Sequence, residues 1–74
     1  MEEVKLAIKK ILADKASYTK ALNYAVEYCR YALTILNEKE MRVQVLYILN
    51  NISHWRHADA KEVRQTLKRF AGIK

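Results

Sequence analysis

No proline occurs in the 74 residues, and the one glycine, Gly72, stands near the C-terminal end. A β-rich domain of this length needs turn glycines and prolines at regular spacing, so their scarcity excludes one and leaves an all-helical chain. There is one cysteine, Cys29, so an intrachain disulfide and a cysteine-rich zinc site are both excluded. The longest apolar run, Val45 to Leu49, is far too short to span a bilayer, and no membrane partner is expected. Met1-Glu2-Glu3-Val4-Lys5 has neither the basic nor the apolar region of a secretion signal, which points to a cytoplasmic protein.

What is present is a folding composition, 51% hydrophobic and 30% charged. A chain this short buries only ~60% of its unfolded surface, so one helical domain over residues 1–74 has a marginal core unless it packs well or associates. The net charge of +6 is uneven. Residues 1–42 carry eight Lys/Arg against six Asp/Glu, whereas residues 43–74 carry six against two, a hint of an anionic partner for the C-terminal third.

The pattern predicts a small antiparallel bundle of four short helices, or a three-helix bundle with one helix packed across it. Helix one is expected over Glu2–Ala13, with Val4, Ile8, Ile11 and Leu12 on one face and Glu2 and Glu3 at the positive end of its dipole. Asp14 and Ser17 supply a turn and a cap. Helix two is expected over Ser17–Leu36, where Lys20, Asn23, Glu27, Arg30, Thr34 and Asn37 fall within an arc of about 100° and nearly everything between them is apolar. An ordinary surface helix needs an apolar stripe little wider than ~100°, so this one wants partners on more than one side. Asn37 and Glu40 form an N-x-x-E start for helix three, expected over Glu38–Trp55 with Met41, Val45, Ile48, Ile52 and Trp55 inward. Val43 and Tyr47 lie opposite and need a neighbour or water. Helix four is expected over Ala58–Ala71 on a Val63/Leu67/Phe70 stripe, with Gly72 as a left-handed C′ residue and Ile73 folding back.

Placing Leu22, Cys29, Leu33 and Leu36 against the core leaves Tyr24, Tyr28, Tyr31 and Ile35 as a flank. Tyrosine suits an interface because its ring buries area while its hydroxyl stays wet. The expected function is therefore that of a non-enzymatic interaction module, a homodimer or a subunit docking on another protein. The alternative for the flank is cover by helix one or four within the chain.

A second candidate surface is basic. Lys61, Arg64 and Lys68 lie within about 60° of one another on helix four, with Arg56, Arg69 and Lys74 nearby, a face suited to phosphate backbones. Val45-Leu46-Tyr47-Ile48-Leu49 followed by Ala60-Lys61-Glu62-Val63-Arg64-Gln65-Thr66-Leu67 resembles the first two helices of a winged-helix or helix-turn-helix domain, over less than half the chain. The resemblance implies a dimer whose fourth helix reads the groove with Lys61, Arg64, Gln65 and Lys68 outward.

Catalytic, cofactor and metal sites are not expected. His54, His57 and Asp59 supply too few ligands for zinc. A Cys29–His54 pair lacks an oxyanion loop or an orienting group, and no small-molecule substrate suggests itself.

Overall fold

The computed structural model describes residues 1–73 and is all-helical, four α-helices packed against one another. Lys74, expected to add basic charge, lies outside the described residues. Helix α1 spans Glu2–Ala13, α2 Ala25–Ala32, α3 Glu38–Asn50 and α4 Ala60–Ala71. Each packs on its neighbour in the chain, and α1 closes the ring against α4.

The first helix has the expected bounds and buries Val4, Ala7, Ile8 and Ile11. Its partner α4 buries Ala60, Val63 and Leu67. At the solvent edge of this pair Lys10 Nζ meets Glu62 Oε1 at 2.9 Å, and Arg69 Nη2 reaches Glu3 Oε1 at 3.4 Å. The side chains of both pairs are largely exposed, so the pairs orient the two helices more than they stabilise them.

The long second helix is corrected by the structure. Lys15–Ser17 form a single 3-10 turn, residues 18–24 continue as successive tight turns, and regular α-helix is confined to the eight residues of α2. Two side chains hold the segment down on the end of α1. Ser17 Oγ donates to Asp14 Oδ2 at 2.7 Å, and the Tyr18 hydroxyl donates to the Leu12 carbonyl. The backbone then closes mostly through i to i−3 bonds, such as Lys20 N–H to Ser17 O and Asn23 N–H to Lys20 O. These turns still bury Leu22, and α2 buries Ala25, Val26, Cys29 and Ala32.

The end of α2 tightens in the same way, with Thr34 N–H on Tyr31 O and Ile35 N–H on Ala32 O. That change of pitch swaps two expected roles. Ile35 turns inward, 3% exposed, and Leu36 turns out, 86% exposed.

Asn37 caps α3 by accepting the Glu40 N–H at 3.0 Å on its side-chain oxygen. The helix stops at Asn50, five residues before the expected end. There the Asn51 side-chain amide donates to Tyr47 O at 2.7 Å, competing with the backbone ladder. Ile52 and Trp55 nevertheless reach the core, both fully buried, through turn bonds that include Trp55 N–H to Ile52 O. Helix four begins at Ala60, two residues later than expected.

Candidate functional site

The face formed by α2 and α3 carries four tyrosines. Fractional exposures are 73% for Tyr24, 51% for Tyr31, 50% for Tyr47 and 38% for Tyr28. Tyr24 and Tyr28 are one helical turn apart at the start of α2, and Tyr31 follows three residues on, so the three form a row. Ile35, expected to continue that row, is buried and belongs to the core.

Tyr47 joins the row from α3. Its ring stacks on that of Tyr28, with centroids 5.8 Å apart and planes 25° from parallel. The buried amide of Gln44, one turn earlier, donates to Tyr28 O at 3.0 Å and fixes the two helices in register. Next along the row the Tyr31 hydroxyl donates to Glu40 Oε2. That hydrogen bond and the carboxylate's negative charge hold the Tyr31 hydroxyl above its ordinary pKa. The hydroxyl thus ties α2 to the start of α3 through the Glu40 carboxylate.

Val43, one turn before Tyr47 on α3, and Leu36, in the connection between the helices, are exposed aliphatic side chains near the row, whereas the exposed Leu46 is turned about 100° around α3 from Tyr47. Two charged pairs sit on the same helices, Arg30–Glu27 at 2.9 Å and Arg42–Glu38 at 3.7 Å. At the other end of the row a shallow cleft opens beside Tyr24, lined in part by Lys20, Asn50 and His54.

The expected basic face is only partly assembled. Lys61, Lys68, Gln65 and Arg56 are exposed. Arg64 is half-buried and points inward, where its Nη2 donates to Ile52 O at 2.8 Å and also to Trp55 O. It adds a second bond to the Ile52 carbonyl, which already accepts Trp55 N–H, and binds the Trp55 carbonyl in the turns after α3, which removes it from the outward set that the helix-turn-helix resemblance implies. Arg69 is turned toward Glu3.

The polar segment around Trp55 is structural in a way the spacing did not reveal. Trp55 Nε1–H donates to Asp14 Oδ2 at 2.8 Å, and the His57 ring stacks on the indole with centroids 5.5 Å apart. His57 Nδ1 accepts the Asp59 N–H at 3.1 Å. Cys29 is buried, and burial pushes its thiol up to about 12. Among the described residues no group of three or more His, Cys, Asp or Glu is placed to hold a metal ion. No helix among them is long and apolar enough to cross a membrane.

Tyr47 carries a usable signal in the sequence. It stands four residues after Val43 on the side of helix three opposite the core. Asp14 and Arg64 had no comparable signal, since their partners are remote in sequence.

By fold and face the chain is a small all-α bundle presenting an aromatic surface. No protein family, curated protein or solved structure matches it.

Proposed function

We propose that this chain is a non-enzymatic helical interaction module that associates with protein through the face built from Tyr24, Tyr28, Tyr31 and Tyr47. One observation carries the reading. Four tyrosines, each between 38% and 73% exposed, stand on or beside α2 and α3, and three of them, Tyr28, Tyr31 and Tyr47, are held there by a ring stack, a Gln44 amide and a Glu40 carboxylate. Isolated exposed apolar residues are ordinary, but a row of exposed tyrosines with an ordered ring stack at its centre supports an interaction surface. Rigid aromatic side chains also lose little rotamer freedom on binding.

The test joins two measurements. The chain should self-associate in sedimentation or retain a protein partner when immobilised, and Tyr28→Glu should weaken whichever association is found. A monomer that retains nothing ends the reading.

A second reading takes the exposed cations Arg56, Lys61 and Lys68 as contacts to a nucleic-acid backbone, supported by the excess of positive charge over residues 43–74. It requires retardation of DNA or RNA whose log affinity falls linearly with log salt. Absence of binding at low salt removes it.

A further inference from the structure

We propose that the occupant of the tyrosine face is a second copy of this chain, paired about a two-fold axis that passes close to Tyr28. The proposal rests on the interaction-module reading and commits it to one partner.

Area is the first argument. The fractional exposures of the four tyrosines amount to about two whole tyrosine side chains, on the order of 400 Å² at ~200 Å² each. Leu36 and Val43 extend the apolar area toward the ~800 Å² that each partner contributes to a standard interface. The patch is thus of the size that a modest homodimer of small domains uses.

Charge is the second. A chain of net charge +6 repels its own copy over most of its surface. The segment from Lys20 to Asn50, which builds this face, carries four Lys/Arg (Lys20, Arg30, Lys39, Arg42) against three Glu (Glu27, Glu38, Glu40), a net of +1. Two of those cations are already held by Glu27 and Glu38 on their own helices. Of the other +5, +4 lies over residues 51–74 and +1 over residues 1–19, so two copies meeting here face little like-charge opposition and keep their basic C-terminal thirds apart. The same near-neutrality gives a polyanion nothing to grip here.

The third argument is the polarity of the row itself. Lys20 stands at the Tyr24 end, beside the cleft, and Glu40 stands at the Tyr31 end on the hydroxyl. Tyr28 lies between them, backed by its stack on Tyr47. An isologous interface places a surface on its own copy rotated by half a turn. Run antiparallel, the row sets Tyr28 against its own counterpart, Tyr24 toward the other copy's Tyr31, and Lys20 toward the other copy's Glu40. Each end therefore meets the charge it lacks.

The experiment is a charge-pairing test at the axis, read by sedimentation over roughly 1 to 200 µM, a range that brackets micromolar dissociation constants. Wild type is expected to dimerise. Tyr28→Glu and Tyr28→Lys are each expected to weaken the dimer about tenfold or more, because the new charge meets its own copy across the axis. An equimolar mixture of the two should re-form a dimer, with Glu opposite Lys. Tyr24→Glu, at the most exposed tyrosine, repeats the weakening at a position where folding is least at risk, and Leu6→Glu on α1 leaves the dimer intact. Circular dichroism checks that every variant stays helical.

A wild type that is monomeric throughout overturns the pairing. So does a dimer indifferent to Tyr24→Glu and Tyr28→Glu, or a mixture that stays monomeric. A monomer that still retains another protein through Tyr28 removes the second copy and leaves the interaction module standing; failure of both removes both.

Discussion

Trp55 donates its indole N–H to Asp14 Oδ2 across 41 residues of sequence, and Ser17 Oγ donates to the same oxygen at 2.7 Å. One carboxylate thus joins the end of α1, the tight turn that follows it and the turn after α3. Trp55 is fully buried, so its N–H has no access to water and depends on this acceptor.

The first prediction concerns acid. The indole and the Ser17 hydroxyl, with a smaller contribution from His57, hold the Asp14 carboxyl below its ordinary value of 3.8. A carboxyl whose folded pKa is depressed stabilises the fold above its unfolded pKa, and that contribution is lost as pH falls through the folded value. Wild type should therefore lose stability below about pH 4. Glu62, lowered by Lys10, contributes in the same direction, so the difference between wild type and variant is what isolates Asp14. In Asp14→Asn the acceptor oxygen remains but does not titrate, and the acid slope should be shallower. In Asp14→Ala the indole is orphaned, and the protein should be destabilised at pH 7 as well. Urea midpoints measured from pH 3 to 7 check both, and identical slopes for wild type and Asp14→Asn would refute the assignment.

Arg64 supports the second prediction. Its guanidinium satisfies the Ile52 and Trp55 carbonyls from a half-buried position. Arg64→Ala should cost about 1.5–3 kcal/mol in denaturant unfolding, the range for hydrogen bonds made by a charged group. Arg64→Lys should recover part of that, since one ammonium cannot reproduce the planar fork. Lys61→Ala and Lys68→Ala should leave stability within about 0.5 kcal/mol of wild type. If nucleic acid binds, these two variants should each lower the salt slope by about 1. Arg64→Ala should change it only as far as the fold is lost.

What was legible in the sequence was what depends on near neighbours. The bounds of α1, the Asn37 cap and the Gly72 stop all follow from residues within a turn of the element they define. The errors have the opposite cause. Helix two was expected from Ser17 because its polar positions keep a helical interval, and those positions are indeed exposed. The interval holds roughly for 3-10 turns too, and what selects them is the tethering of Tyr18 to Leu12 and of Ser17 to Asp14 at the end of a different helix. Ile35 and Leu36 exchanged places because a 3-10 step turns a residue by about 120° where an α step turns it by about 100°. The Tyr24, Tyr28 and Tyr31 flank was legible as apolar, with its cover open between a partner and helix one or four. Tyr47 was legible as facing away from the core, but its stack on Tyr28, nineteen residues earlier, depends on how two helices pack and has no local signal.

Gly72 gives a third prediction. It stands at φ 80° as the C′ residue of α4, with its N–H on Arg69 O at 3.2 Å and the Ile73 N–H on Lys68 O at 2.9 Å. Both bonds of a Schellman motif are made. A Cβ added at Gly72 meets nothing within 4 Å, so the cost of Gly72→Ala is purely conformational. It should be about 1 kcal/mol, with Gly72→Asn nearer to wild type because asparagine tolerates the left-handed region. Thermal unfolding of the three proteins at one concentration decides it, and equal midpoints for glycine and alanine would mean the motif does not hold in solution.

The last prediction concerns Cys29. It is fully buried on the inner face of α2, one turn from the small buried residues Ala25 and Ala32. Burial pushes its thiol from the ordinary 9.0 up to about 12, which at neutral pH reduces the reactive thiolate about a thousandfold. The folded protein should therefore react with an aromatic disulfide reagent only through transient opening, and the unfolded protein at the rate of a free thiol. Adding sub-denaturing urea distinguishes two kinds of opening. If the thiol is exposed only by global unfolding, the labelling rate should rise with urea along the slope of the equilibrium unfolding curve. If α2 frays locally, the rate should be nearly flat. Because α2 is only eight residues long and leans on α1 and α3 for its burial, the global route is expected. Fast labelling of the native protein, comparable to that of the unfolded chain, would contradict the burial of this side chain.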